Sequence, residues 1–223
     1  MKYFILICLL INNWLSAADK IALAIKIKGK VSVIAKGDIQ KSPLTPGKPL
    51  KDQDQILVGK GGFAAIMYLD DKTVVKLLGN SDLTIAGNRT KDRINKSLDI
   101  KYGKIAADIS PQKENEFRIA TPTSVASVKG TELTIASDPA NGDSFTLLEG
   151  LIEVTNTITG ETTEVQQGET AVSTPEGSLD VRETTTEDMA GFEEADVGNP
   201  TQELRFELED KDGNIKEIII QFQ

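Results

Sequence analysis

Three short alternating runs are crowded between Phe117 and Ile135, with breaks too close together to leave room for a helix. The segment reads FRIATPTSVASVKGTELTI. Phe117 and Ile119 precede Thr121-Pro122, Val125 and Val128 precede Gly130-Thr131, and Leu133 and Ile135 close it. Period-two alternation marks strands with one buried face. Pro122 has no N–H to donate and fixes its own φ, so it belongs at a strand edge or corner. Gly130 opens backbone conformations closed to residues with a Cβ, as a sharp turn between strands requires. A chain that folds back this often points to an all-β build.

The same grammar runs through the rest of the chain. Ile21 to Ile27 alternates and is broken by Gly29 before Val31-Ser32-Val33, and a loop with Pro43, Pro46 and Pro49 follows. Asp70-Asp71-Lys72 turns Phe63–Leu69 into Thr73–Leu78, the clearest hairpin of the N-terminal half. Asn141-Gly142 is a hairpin signal between Leu133–Ala136 and Phe145–Leu148. Three stretches echo one another: Gly29, Gly103 and Gly150 each stand between two apolar runs, where a glycine bulge or corner re-aims a strand. Their spacing is too uneven for a strict repeat. These patterns predict an irregular β-solenoid or stacked β-hairpins, with a β-sandwich as the alternative.

The two ends differ from this body. Met1 to Ala18 has Lys2 at its start, an apolar run from Tyr3 to Ile11 and a Ser16-Ala17-Ala18 cleavage site, the pattern of a signal peptide. That run is too short for the roughly 20 residues a membrane-spanning helix needs, and Ile7 before Cys8 argues against a lipoprotein signal. Residues 19–182 are the expected β domain. Residues 183–202 read as an acidic linker, since Glu183, Glu187, Asp188, Glu193, Glu194 and Asp196 stand there with no Lys or Arg among those residues. Residues 203–223 read as a terminal β-hairpin, with Leu204, Phe206 and Leu208 alternating before Ile215 to Phe222.

At this point a family resemblance is legible. F-x-I-x-T-P-x-x-x-x-x-V-x-G-T-x-L-x-I, with Thr121, Pro122, Gly130 and Thr131 as its most specific part, resembles the signature of the FecR domain. Leu50, Asp54, Ile56, Gly59, Asp70, Thr73, Ser81, Leu83 and Ile85 follow the same family's earlier pattern. Phe145, Leu147, Glu149-Gly150, Ile152, Val154 and Gly168-Glu169 follow its tail. Two positions depart from it, Gln53 and Asp71, where the family prefers glycine. The resemblance implies an exported bacterial β module. In the best-known members it lies outside the inner membrane and senses a partner transporter, while the same chain restrains a sigma factor. No anti-sigma region is expected ahead of the module here, nor a transmembrane segment in the mature chain.

Chemistry is narrowly bounded. The chain has no histidine, and its single cysteine lies in the leader, which removes His-based triads, thiolate nucleophiles and ordinary zinc sites. Ser127 and Lys129, and the abundant carboxylates, are the surviving catalytic material. With only 5% aromatic residues, and Trp14 in the leader, a carbohydrate cleft lacks its stacking platforms. The reading is therefore not an enzyme, with no cofactor and no metal. Asp210-x-Asp212-x-Asn214 has calcium-loop spacing but lacks the later glycine and acid. A net charge of −9 argues against a nucleic-acid partner. Two places are expected to bind a partner. One is the basic segment carrying Arg89, Lys91, Arg93, Lys96, Lys101 and Lys104, suited to an acidic protein or an anionic envelope polymer. The other is the terminal hairpin, through Leu204, Phe206, Ile218 and Ile220, by strand addition to another protein. Protein–protein interaction or sensing in the periplasm or at the cell surface is the functional expectation; binding of glycan or cell-wall polymer, or a purely structural role, is the alternative.

Overall fold

A computed structural model describes residues 20–90, 93–112 and 116–195, and the backbone of Gln202–Glu209 and Ile215–Phe222; the leader lies outside the described residues. The strands are β1 (Lys20–Lys28), β2 (Val31–Ile34), β3 (Ser42–Pro43), β4 (Pro49–Lys51), β5 (Gln55–Val58) and β6 (Phe63–Tyr68). They continue as β7 (Val74–Leu77), β8 (Ser81–Arg89), β9 (Ile94–Ile109), β10 (Phe117–Ala120), β11 (Ser124–Val128) and β12 (Thr131–Asp138). After these come β13 (Gly142–Glu149), β14 (Leu151–Asn156), β15 (Thr162–Gln166), β16 (Glu169–Ser173) and β17 (Leu179–Glu183). All of them join one open 17-stranded sheet that does not close into a barrel. The protein is all-β. Pairing is antiparallel except for β9 with β10, so the layers grow as hairpins, not as the coils of a solenoid.

The sheet is two layers joined by one strand. The front layer runs β4-β1-β6-β7-β9-β12-β13-β16-β17. The back layer runs β3-β2-β5-β8-β9-β10-β11-β14-β15. Strand β9 belongs to both. Its first part, Ile94 to Tyr102, pairs with β8, and its last part, Gly103 to Ile109, pairs with β12. Between the layers lies one aliphatic core, with Ile66, Leu77, Ile105, Ile135 and Leu147 from the front meeting Ile56, Leu83, Ile100, Ile119 and Val154 from the back. The Tyr68 and Phe117 rings meet edge to face across it at 5.7 Å. Full burial of each such side chain contributes roughly 1.5–3 kcal/mol.

Passage from one layer to the other is where the glycines stand. The three glycines of the sequence echo mark three such crossings: Gly29 between β1 and β2, Gly103 within β9, and Gly150 between β13 and β14. Gly150 has φ +95°, and a Cβ there would lie 2.7 Å from the Gly130 carbonyl oxygen, so two corners of the family motif lean on each other. The crossing from β4 to β5 has no glycine and falls on Gln53, whose φ is +66°. That explains the family's preference there. In the β6–β7 turn the left-handed residue is Lys72, at φ +64°, not Asp71, so the departure from the family pattern sits one residue later than the sequence suggests. Replacing exposed Gln53 by glycine removes about 1–2 kcal/mol of left-handed strain and gives back about 0.5–1 kcal/mol through unfolded-chain entropy. Gln53→Gly should therefore raise the urea midpoint by a stability gain of about 0.5–1 kcal/mol.

The hairpin at Asn141-Gly142 forms, but its turn is Asp138-Pro139-Ala140-Asn141, closed by Asn141 N–H on the Asp138 carbonyl at 3.2 Å. Gly142 already pairs with Asp138 at the end of the ladder.

Part of the acidic stretch is packed. Thr186–Met189 forms a helical turn, α1, and Glu193–Ala195 a 3-10 turn. Phe192 and Ala195 are buried on the outer side of the front layer against Leu78 and Ala106. Lys104 reaches over the Phe192 ring at 5.4 Å and donates to the Ala190 carbonyl, while Lys76 donates to the Ala195 carbonyl at 2.7 Å. Front-layer lysines satisfy the carbonyl ends of this segment, a pairing that composition alone does not reveal. Arg182 clamps Asp188 with two hydrogen bonds of 2.7 Å, and Asp188 also accepts from the Thr185 N–H and hydroxyl. The Arg182 guanidinium, more than any other group, holds the Asp188 carboxyl well below the usual carboxylate range. A lowered folded pKa adds stability that is complete above the ordinary value near 4 and is lost as pH falls below it. The Phe192 amide resonance should therefore stay fixed from neutral pH to about 4 and move only in stronger acid.

Beyond it, β18 (Gln202–Glu209) and β19 (Ile215–Phe222) pair as a two-stranded antiparallel sheet. The Asp210/Asp212/Asn214 spacing falls outside the described residues.

Candidate functional site

The basic segment does not converge into one patch. Arg89, at the end of β8, donates to the Lys20 carbonyl at 2.8 Å. Lys91 lies outside the described residues, and Arg93 is half-buried. Lys101 is exposed on the back half of β9, whereas Lys104 is past the Gly103 corner on the front layer. Lys96 is not a surface cation at all. Its side chain is 2% exposed, because Lys96 shares the inward parity of Ile94, Leu98 and Ile100 on β9.

Lys96 is the centre of the most concentrated electrostatics among the described residues. Its Nζ lies 2.7 Å from Asp70 Oδ2 and 2.8 Å from Asp71 Oδ2, and 5.7 Å from the centre of the Tyr68 ring. Asp70 Oδ2 also accepts the Ile94 N–H at 2.9 Å, while its Oδ1 is buried with no partner. Asp71 is fully occupied: Oδ2 accepts from Gln112 Nε2 at 2.7 Å and Oδ1 from the Thr73 N–H at 3.0 Å. Burial pushes the Asp71 carboxyl up, but Lys96, Gln112 and Thr73 together outweigh it and leave it below its ordinary value. Burial, with Asp70, Asp71 and Asp52 behind it, pushes the Tyr68 phenol far up, so that it stays protonated. The hairpin tip of the front layer is thus tied through charge to the back layer.

The family motif builds a second polar cluster at a corner of the layers. Thr121 closes the β10–β11 turn, accepting the Ser124 N–H at 3.1 Å and donating its own N–H to the Ser124 carbonyl at 2.9 Å. Pro122 stands exposed at the corner, as its missing donor demands. Thr123 gives its N–H, at 2.9 Å, and its hydroxyl to Asp143, which is buried on β13. Asn156, fully buried, donates to Ser173 Oγ at 2.8 Å and accepts the Ile158 N–H at 2.8 Å, pinning the β14–β15 turn. Sequence reasoning missed Asp143 and Asn156 as interior residues. Polar residues at the ends of alternating runs were their only signal. Asp143 borders a shallow hollow of about 460 Å³ that Ser137, Asp138, Lys104 and Arg182 also line.

Lys129 is exposed and directed at Glu116, 3.4 Å away, so it makes no buried dyad with Ser127. Among the described residues no group of three or more His, Cys, Asp or Glu side chains converges to hold a metal. In the terminal ribbon the register sets Leu204 opposite Ile220 and Phe206 opposite Ile218, so these four positions share one face.

The Thr121-Pro122 turn, the Gly103 corner and the abutting Gly130 and Gly150 all lie within residues 54–153, which match the family model described as "FecR protein". Residues 54–153 thus resemble a FecR domain. Strands outside that match complete it, since β1 pairs with β6 and β15 with β14. In fold, the chain is similar to a solved candidate anti-sigma factor from Parabacteroides distasonis ATCC 8503, with a TM-score of 0.52 and 14% identity over 62% of this chain and 63% of that one. A second solved structure with the same description aligns at a TM-score of 0.49 and 14% identity, over 60% and 61%. The chain therefore spans under two thirds of the length of these solved proteins. No curated protein matches it. Among the described residues no helix is long and apolar enough to cross a membrane.

Proposed function

We infer that this protein is a non-enzymatic, exported FecR module that works in the cell envelope through protein–protein contact, in a sensing or regulatory role. The FecR match over residues 54–153 carries the reading. The likeness to a candidate anti-sigma factor is in keeping with it, as is a leader with the signal-peptide pattern. The contact is made by the terminal ribbon. Among the described residues β18 and β19 hydrogen-bond to each other and to no other strand, and an isolated two-stranded ribbon is marginal in water unless it docks. Its outer edges offer the backbone groups that strand addition uses. The anionic-polymer alternative loses its central cation, because Lys96 is spent on Asp70 and Asp71.

In-cell photo-crosslinking tests this. A crosslinker at Phe206 in the full chain should give a defined hetero-complex in the envelope fraction, on protein whose first residue is Asp19. The same probe at Ile39, exposed in the β2–β3 connection, should give none. Mature protein that yields no complex from Phe206, or intact protein confined to the cytosol, would overturn the reading.

A further inference from the structure

The chemistry around Lys96 goes further than an ion pair. A primary amine, one carboxyl group as electrophile and a second carboxyl to carry protons, held together largely out of water, are the components of amide formation between side chains, and here the Lys96, Asp70 and Asp71 side chains are 2%, 11% and 21% exposed. We propose that Lys96 and Asp70 condense to an intramolecular isopeptide bond, with Asp71 as the proton carrier.

Each role is set by geometry. The Lys96 Nζ lies 2.7 Å from Asp70 Oδ2, one bond from the carbon it attacks. Oδ2 is the oxygen that stays, because the Ile94 N–H holds it at 2.9 Å and stabilises the charge it gathers during attack. Oδ1 is the oxygen that leaves, being buried and without a hydrogen bond to break. Asp71, 2.8 Å from Nζ, is locked by Gln112 and Thr73 and is the worse electrophile and the better-placed relay.

The balance closes without a co-reactant. One ammonium proton passes through Asp71 to Oδ1 of the Asp70 carboxylate, leaving a neutral amine and a neutral acid. Nζ then attacks the carboxyl carbon, and a second nitrogen proton travels through Asp71 to Oδ1. The carbon–Oδ1 bond breaks, one water departs, and Asp71 returns to its starting state. Burial favours this direction, because two desolvated charges are replaced by one neutral amide, and fixed proximity supplies the effective concentration. The bond would join the β6–β7 turn of the front layer to β9 in the back layer. With Cys8 as the only cysteine, no disulfide within the chain can provide such a tie.

Mass spectrometry of the purified full chain, after its N-terminus has been sequenced, decides the matter. The expected mass is one water below that of the sequence, about 18 Da, with one branched peptide containing both Asp70 and Lys96. Lys96→Arg, which keeps the positive charge but not the amine, should fold and show the full mass. Asp71→Asn should cut the crosslinked fraction to a small minority of molecules. A folded wild-type chain of full mass overturns the proposal. An unchanged crosslinked fraction in Asp71→Asn overturns the role of Asp71.

Discussion

Lys96→Met is expected to be among the most damaging single substitutions in the chain, lowering stability by about 3–5 kcal/mol. Methionine matches the lysine stem in length, so little packing is lost. The cost comes from the partly buried Asp70 and Asp71 carboxyl groups, which are left without the lysine nitrogen that both of them face at under 3 Å. Removing one partner of a buried pair is far worse than replacing the whole set, since the remaining charge has neither water nor a counter-ion. Lys96→Met combined with Asp70→Leu should therefore recover a large part of the loss. Urea denaturation of the two variants measures the difference. Equal stabilities would show that the Lys96 side chain is not what compensates Asp70 and Asp71.

Gly103→Ala should cost about 3 kcal/mol or more, although it adds a single methyl group. Gly103 has φ +116°, which residues with a Cβ occupy only under strain of about 1–3 kcal/mol. A Cβ there would also lie 2.6 Å from Ser81 Cα, so the start of β8 must shift. Overpacking of this kind adds about 1–3 kcal/mol. The damage would fall where β9 leaves the back layer for the front, so the loss should appear as weakened global stability and not as a local defect. Gly160→Ala is the useful contrast. That glycine also has a positive φ, but nothing lies within 4 Å of its would-be Cβ, so only the strain applies and the loss should be smaller.

Much of this architecture was readable from the sequence because most strands bury one face more deeply than the other. Alternation in Phe117–Ala120 and Ser124–Val128 reports that asymmetry directly. The echo of Gly29, Gly103 and Gly150 was legible as corners for the same reason. What alternation does not encode is which layer a strand joins, and so the sharing of β9 between both layers had no local signal. Lys96 was missed for a different reason. Its charge suggested surface, while its parity with Ile94, Leu98 and Ile100 pointed inward, and parity prevailed because Asp70 and Asp71 arrive from a distant turn. The packing of Phe192 likewise depends on Lys76 and Lys104, far away in sequence, and local acidity concealed it.

The central structural claim is that two layers share one core and are joined through β9, so that they unfold together. Native-state hydrogen exchange tests it most directly. The amides of Leu98 and Ile100 in the back half of β9, and of Ile105 and Ala107 in the front half, should all exchange only through global unfolding, with the same free energy and the same denaturant dependence. Exchange of one half through a separate, lower-energy opening while the other stays protected would make the layers independent units and contradict the claim.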